Sequence, residues 1–281
     1  MKKITSIIIV LIVGFIAISC SEDFFEKPID LDIDNHTSKL AGTAILGDSN
    51  ETNQVLVSYS EGAFEDNYEE KIITNAMVNI KSNNLDVDFT FNSQSKFYAP
   101  NIPLPFVPNE TYTITVEAPN YKTISATQVY PEQVPILDAT INGDLLKIKI
   151  NDNPNKKNYY VLKLQRREND GNYYDQYLDP FSTSTSYSAF CYACVNFNDD
   201  TFNGEQNFEI AVNSYSGDNN SQYKVVLYNV TEDYYRYDVS LLQSEDSEGN
   251  PFVEPIILHR NFENGYGVFA LVNKSEFILT N

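Results

Sequence analysis

The sequence is poor in the side chains that carry most enzymatic chemistry. It has no tryptophan, three cysteines and only two histidines, His36 and His259. It also lacks the G-x-S-x-G and H-E-x-x-H patterns and any glycine-rich phosphate-binding loop. A nucleophile needs a nearby base, and histidine is the side chain that most often supplies one. The composition therefore predicts a protein that is not an enzyme.

Basic residues are scarce as well. There are 19 lysines and arginines against 39 aspartates and glutamates, which gives a formal net charge of -20. Nucleic-acid binding needs clustered basic side chains that neutralise phosphates, so this balance excludes a nucleic-acid partner. The chain is nevertheless not of the disordered type, because 42% of its residues are hydrophobic and it has 20 tyrosines and 17 phenylalanines.

Long hydrophobic runs are missing except at the amino terminus. Lys2 and Lys3 precede an apolar segment of about 15 residues, 4–18, where roughly 20 are needed to span a bilayer. Cys20 follows directly after this segment and Ser19. The three-part pattern predicts a lipoprotein signal peptide, residues 1–19, with acylated Cys20 as the membrane anchor. An uncleaved anchor helix is the alternative.

Residues 20–36 are predicted to form the acylated tether and a first strand. Ile29, Leu31 and Ile33 alternate with aspartates, which is the period of a half-buried strand. Spaced carboxylates also occur in calcium loops, but the glycine and the distal glutamate of such a loop are missing. The alternation therefore favours an edge strand over a calcium site.

The next part of the chain has the pattern of an all-β domain. Short segments with strand-like alternation are separated by turn-forming residues. These segments are residues 41–46, 54–59, 76–81, 86–91, 111–118 and 121–129. Short strands at regular spacing indicate a β-sandwich. We therefore predict an N-terminal sandwich domain over residues 37–132.

A second sandwich domain is predicted for residues 133–281. Pro131 and Pro135 fix an extended connector, which favours a domain boundary there. Strand-like segments resume at residues 136–141, 145–150, 159–166, 206–212, 222–228 and 268–272. The predicted fold class is therefore mainly β, with two β-sandwich domains of immunoglobulin-like or transthyretin-like type.

One short helix is predicted within the second domain, near residues 232–243. Thr231 fits the position of a helix cap, and two acidic residues follow it in the first turn. Tyr235, Val239 and Leu242 recur at helical spacing. This stripe predicts that these three side chains pack into the core.

Residues 106–123 resemble the last hairpin of the carboxypeptidase-regulatory-like or transthyretin-like sandwich. Tyr112, Ile114 and Val116 share one face of the strand in this segment. Asn109 and Asn120 stand where the pattern usually has glycine. Asparagine tolerates the left-handed backbone conformation that glycine would adopt at such turns. The resemblance therefore supports a sandwich for residues 37–132.

Two motifs stand out toward the carboxyl end, N-P-F-x-E-P at residues 250–255 and N-G-x-G-x-F at residues 264–269. Together with residues 199–205 and the region around Cys20, they resemble the domain-of-unknown-function 4249 family of Bacteroidota lipoproteins. The resemblance implies a lipid-anchored outer-membrane protein that acts beside TonB-dependent receptors and has no established catalytic role. The acidic stretch after Cys20 resembles a surface-export signal, which implies a location on the cell surface.

Cys191 and Cys194 form the only short cysteine motif. Such a C-x-x-C pair serves as a redox couple, as half a zinc site or as a local disulfide. The histidines are far away in sequence and the stretch reads as a loop rather than a helix start, which disfavours the first two roles. An oxidising compartment favours the disulfide. We predict no metal site and no cofactor.

Tyrosines near one predicted hairpin are the candidate contact patch for a partner. They are Tyr159, Tyr160, Tyr173, Tyr174 and Tyr177. Tyrosine is enriched where proteins bind partners, although it also packs well within sheets.

The sequence leaves two hypotheses for the function. The first is a non-enzymatic accessory of a TonB-dependent transporter in nutrient uptake, and the second is a surface protein that captures a peptide, glycan or metal chelate independently.

Overall fold

The described chain consists of strands joined by short turns, with one helix. A computed structural model describes residues 36–279 apart from 48–52, 63–70, 181–184, 192, 216–220, 248–251 and 255. The predicted signal peptide, Cys20 and the strand predicted at residues 29–33 lie outside the described residues. The strands all belong to one compact unit, Thr37–Asn281.

The described strands and the helix follow one another closely along the chain. They are β1 (Leu40–Gly47), β2 (Gln54–Tyr59), β3 (Met77–Lys81), β4 (Asp86–Asn92), β5 (Phe97–Pro100), β6 (Thr111–Glu117), β7 (Ile124–Val129), β8 (Ile136–Asn142), β9 (Leu145–Ile150), β10 (Tyr159–Arg167), β11 (Tyr173–Gln176), β12 (Thr185–Tyr187), β13 (Val195–Asn198), β14 (Phe208–Asn213), β15 (Tyr223–Val230), α1 (Glu232–Ser247) and β16 (Tyr266–Leu279). The mainly β prediction is therefore confirmed.

Thirteen of the described strands form one large sheet. Its order is β12-β13-β10-β15-β16-β1-β2-β5-β4-β3-β6-β7, and β11 pairs with β10 beside this path. Strands β14, β9 and β8 form a separate three-stranded sheet. The large sheet thus contains strands from both predicted domains.

Strand β16 joins the two halves of the large sheet. Its residues 266–272 pair in parallel with β1, and its residues 272–279 pair antiparallel with β15. Main-chain pairing therefore continues across the boundary predicted at residues 132 and 133. The arrangement of two separate sandwich domains is not confirmed, because β16 belongs to both halves.

Successive side chains of β16 pack into different hydrophobic cores. Phe269 and Leu271 pack into the core of the N-terminal half, whereas Val268 and Ala270 belong to a smaller core shared with Tyr234 of α1. All four of these β16 side chains are fully buried. The alternation follows from strand geometry, in which neighbouring residues point to opposite faces of the sheet. A third core lies within the C-terminal half.

The turn residues adopt the backbone conformations that their identities allow. Asn109 and Asn120 have φ angles of 66° and 70°, so asparagine takes the left-handed conformation expected at both turns. Gly267 has a φ of 94°, and a Cβ atom at this position would overlap the carbonyl oxygen of Gly42. Glycine at residue 267 is therefore required twice, by its own backbone conformation and by the close approach of β1.

The helix buries its predicted face only in part. Tyr234, Asp238 and Ser240 are its buried residues, while the predicted stripe of Tyr235, Val239 and Leu242 is partly buried. Tyr235 packs against the smaller core, with its ring 5.1 Å from that of Tyr159, whereas polar side chains occupy the centre of the helix contact. Among the described residues, no helix is long and apolar enough to cross a membrane.

We expect Gly267→Ala to destabilise the protein much more than Gly143→Ala. Gly143 also has a positive φ, 59°, but a Cβ atom there would meet no other atom within 4 Å. The control substitution carries only the backbone cost of about 1–2 kcal/mol. At residue 267 the clash with β1 adds a penalty of about 1–3 kcal/mol, for a total loss of roughly 2–5 kcal/mol. Denaturant unfolding of both variants measures the difference, and equal losses would contradict the role given to this contact.

Candidate functional site

A groove lies on one face of the large sheet. We call it the sheet groove; its floor is formed by alternate side chains of β10, β15, β16, β1 and β2, and its volume is about 890 Å³. Val161, Lys163 and Gln165 show the pattern, since all three come from β10 at a spacing of two residues. The period of two places all of these side chains on one face of the sheet.

Three lysines line the sheet groove, each beside a specific partner. The Lys163 Nζ atom lies 2.8 Å from Asp175, and the Lys274 Nζ atom lies 3.0 Å from Glu276. The Lys224 Nζ atom lies 4.6 Å from the centre of the Tyr173 ring, which is the geometry of a cation–π contact.

These lysines set the electrostatics of the groove floor. The hydrogen bond from Lys274 lowers the pKa of Glu276 below its ordinary value, although partial burial opposes the shift. The lysines of the groove therefore stand among ionised carboxylates on an otherwise strongly acidic protein. A ligand or partner segment that carries both polar and charged groups would find complementary charges here.

The disulfide segment and the helix close one end of the sheet groove. Phe190 and Cys191 line the groove together with Tyr234 of α1. The Phe190 ring lies 5.5 Å from the Tyr234 ring and 5.1 Å from the Tyr237 ring, measured between centroids. This aromatic contact holds the segment against the helix.

Cys191 and Cys194 are joined by a disulfide, with 5.4 Å between their Cα atoms. The Cys194 side chain is buried, while Cys191 is half-buried at the groove wall. The Cys194 amide also donates to the Cys191 carbonyl over 3.1 Å, so the bridge closes a tight turn. The disulfide therefore stiffens the segment that forms the groove wall.

A fully buried carboxylate ties this segment to the helix. Asp238 of α1 accepts hydrogen bonds from the Phe190 amide at 2.9 Å, from the Ser188 hydroxyl at 3.1 Å and from the Asn196 side chain. Burial raises the pKa of Asp238, and the hydrogen bonds only partly oppose this shift. Sequence reasoning missed this residue because its partners are more than 40 positions away.

A second carboxylate fixes the amino-terminal end of the helix. The Asp233 carboxylate accepts hydrogen bonds from the Asn261 amide at 3.0 Å and from Gln128, and it lies 2.6 Å from Nε2 of His259. The side-chain amide of Asn261 also donates to the backbone carbonyl of Phe269 in β16, and it accepts a hydrogen bond from the backbone N–H of the same residue. Asp233 therefore links the helix to β7 and to β16 at once.

The tyrosines predicted as one contact patch do not lie together. Tyr159 and Tyr160 are buried, and the Tyr160 hydroxyl donates to Asp152 over 2.6 Å. The prediction that these two residues belong to an exposed patch is therefore wrong. Tyr173 contacts Lys224 beside the groove, whereas Tyr174 and Tyr177 are exposed. Only some of the predicted patch is available to a partner.

The described residues contain no group of three or more histidine, cysteine, aspartate or glutamate side chains arranged to hold a metal ion. His259 contacts Asp233 alone among acidic side chains in the described hydrogen bonds and ion pairs. Cys20, the predicted lipidation site, lies outside the described residues. We therefore place the candidate site at the sheet groove.

The described residues define a mainly β protein with one helix and a groove on one face of its large sheet. Residues 26–278 match the family described as domain of unknown function (DUF4249). The chain belongs to this family, because the match covers most of its length. No curated protein matches the chain.

We expect Asp233→Asn to lower the stability at neutral pH by roughly 1–3 kcal/mol, the usual value of hydrogen bonds to a charged group. Burial raises the pKa of Asp233, but the hydrogen bonds from His259, Asn261 and Gln128 outweigh burial and bring it below the ordinary value. The stabilisation is therefore complete above the pKa of an unfolded aspartate, about 3.9. It disappears as the pH falls through the lower folded value, so wild type and variant should converge in acid.

Thermal or urea unfolding from pH 7 down to about pH 2 measures this convergence. Asp246→Asn is the matched control, because Asp246 is an exposed carboxylate on the same helix. A pH-independent loss at residue 233, or the same loss at residue 246, would contradict the argument.

We expect neither cysteine of the C-x-x-C pair to be alkylated in the denatured, unreduced protein. After reduction, Cys191 and Cys194 should both be alkylated, since the pair is bridged and its Cα separation of 5.4 Å is ordinary for a disulfide. Peptide mass spectrometry before and after reduction makes the measurement. Alkylation of both residues before reduction of freshly isolated protein would show that the bridge is absent.

Proposed function

We propose that this protein is a non-enzymatic lipoprotein of the outer membrane, anchored through acylated Cys20, that assists a TonB-dependent transporter in capture or uptake of a nutrient. The basic, apolar and cysteine-terminated amino terminus supports the anchor. The acidic residues after Cys20 support a location on the cell surface, and membership of the DUF4249 family agrees with a lipoprotein of Bacteroidota.

The sheet groove is the observation that carries the proposal. Its floor is rigid, because it is built on paired strands rather than on loops, and its end wall is braced by the disulfide and Asp238. Charged, apolar and aromatic side chains alternate on this face. Such a surface suits a partner segment that mixes these chemistries, such as an extracellular loop of a transporter.

The groove chemistry also supports a binding role rather than catalysis. Among its described lining residues there is no histidine or serine, and its cysteine is bound in the disulfide. Lys163 and Lys274 are each paired with a carboxylate, and Lys224 lies over the Tyr173 ring, so none of the three is positioned as an isolated base.

Independent ligand capture is the second candidate function. A volume of about 890 Å³ lies within the range of about 300–1,000 Å³ that is common for small-molecule sites. In this case the groove would hold a peptide, a glycan or a metal chelate without a receptor.

We expect the full-length acylated protein to co-purify with a TonB-dependent transporter from native membranes. The double variant Lys224→Glu/Lys274→Glu should lose most of the co-purified transporter, because both lysines lie in the sheet groove. The control is Lys147→Glu/Lys149→Glu on β9, where two lysines pair with surface carboxylates of the small sheet. Both variants receive the same change in net charge, so only the position of the charge differs.

Three outcomes separate the candidate functions. Loss of the transporter in the groove variant alone supports the accessory role. A wild-type protein that brings down no transporter contradicts that role and leaves independent capture. Equal loss of the transporter in both double variants would contradict the assignment of the groove. Thermal unfolding of each variant establishes that the fold is retained.

A further inference from the structure

Three tyrosines and one aspartate meet on the surface away from the sheet groove. We call Tyr177, Asp179, Tyr187 and Tyr215 the tyrosine–aspartate cluster. Leu178 is fully buried in the C-terminal core, so its two neighbours point outward on the other side of the extended chain. Tyr187 ends β12 of the large sheet, and Tyr215 follows β14 of the small sheet. The cluster therefore joins the margins of the two sheets.

The main chain holds these segments in place. The Asp179 amide donates to the Asn213 carbonyl over 2.9 Å, and the Asn213 amide donates back to the Asp179 carbonyl over 3.2 Å. This reciprocal pair fixes Asp179 beside the end of β14. Tyr215 lies two residues beyond Asn213 and is thereby brought to the same carboxylate.

The Asp179 carboxylate stands at the centre of the cluster. The Tyr215 hydroxyl donates to Oδ2 over 2.8 Å, and the Tyr187 hydroxyl donates to Oδ1. The Tyr177 ring lies 5.9 Å from the Tyr187 ring and 6.2 Å from the Tyr215 ring, with tilts of 40° and 42°. Two tyrosines thus bond one carboxylate, and the third ring packs against both of them.

The rings are held in this arrangement while they stay accessible to solvent. Tyr177, Tyr187 and Tyr215 have exposed fractions of 42%, 37% and 62%. Tyr215 also has a φ of 44°, a left-handed conformation that is a genuine outlier for a bulky residue. The aromatic faces are therefore organised before any ligand arrives, which lowers the entropic cost of binding.

The carboxylate carries a negative charge that no described residue neutralises. Hydrogen bonds from Tyr187 and Tyr215 lower the pKa of Asp179, so the group is ionised at neutral pH. Asp179 forms no ion pair with any residue in the described part of the chain. The neighbouring sequence segments 181–184 and 216–220 contain no lysine, arginine or histidine.

The surrounding field is negative as well. The charge of Asp144 acts on Tyr215, where it raises the pKa of the hydroxyl together with the larger effect of the hydrogen bond to Asp179. Elsewhere on the surface, carboxylates such as Asp86 and Asp175 lie within 2.8 Å of a lysine. Asp179 instead has aromatic rings where those carboxylates have a cation.

We propose that the tyrosine–aspartate cluster binds an organic cation, the ammonium or guanidinium group of a ligand or of a partner side chain. The carboxylate attracts the charge, and the tyrosine rings add cation–π contacts that favour a weakly hydrated organic cation over sodium. None of the four cluster residues lines the sheet groove, so the two sites are distinct.

Titration of the full-length protein in a non-ionic detergent tests the proposal. The probes are tetramethylammonium chloride, Nα-acetyl-lysine methylamide and Nα-acetyl-arginine methylamide, with sodium chloride holding the ionic strength constant. Saturation-transfer NMR reports the bound probe. We expect saturable binding with a Kd on the order of millimolar, the strength of a few cation–π contacts beside one charge. Preference for tetramethylammonium indicates a small quaternary ligand, whereas preference for the amino-acid probes indicates a protein side chain.

Variants separate a binding site from a structural cluster. Asp179→Asn and Tyr177→Leu should each weaken binding about tenfold or more, since one removes the charge and the other removes the shared ring. The matched control is Asp170→Asn, because Asp170 accepts a hydrogen bond of 2.7 Å from the exposed Tyr174 without a surrounding cluster. Thermal unfolding establishes that each variant is folded. No saturable binding of any probe to wild type, or the same binding in wild type and Asp179→Asn, would overturn the proposal.

Discussion

The pairing of β16 with both β1 and β15 is the interaction on which the rest of the structure depends. One half of this strand completes the sheet of the N-terminal half, and the other half completes the sheet of the C-terminal half. Its two faces pack into separate cores. A shift of the pairing register by one residue would therefore move Phe269 and Leu271 to the face that Val268 and Ala270 now occupy. Gly267 sets this register, because only glycine lets the strand approach Gly42 so closely.

The helix is positioned on this sheet by carboxylates as much as by apolar packing. Asp233 reaches β7 and the segment before β16, while Asp238 reaches the disulfide segment. Buried or partly buried acids of this kind contribute little net energy when replaced together with their partners, but they are costly to leave unpaired. They therefore define where the helix sits. That position in turn determines the end wall of the sheet groove, through Phe190 and Tyr234.

Local pattern predicted the strands well and their partners poorly. The segments 54–59 and 145–150 were placed correctly because alternation and turn residues are local signals. The pairing of β16 with two strands has no local signal, because the alternation of a strand does not indicate which strands lie beside it. Tyr159 and Tyr160 could not share one patch, because adjacent residues of a strand face opposite sides and β10 has neighbours on both edges. The sheet groove and the tyrosine–aspartate cluster depend on contacts between distant segments, which the sequence alone does not reveal.

The place of β16 in the chain has a consequence for how the molecule folds. Ala41 in the first described strand pairs with Tyr266 in the last, and both halves of the large sheet need that last strand. Closing such a long loop is slow, because its entropic cost is met before the contacts form. Until then β1 and β15 expose unpaired edges that can join other chains. Both halves of the large sheet therefore stay incomplete until the last described strand has joined them, so the molecule gains its full set of pairings in one late step.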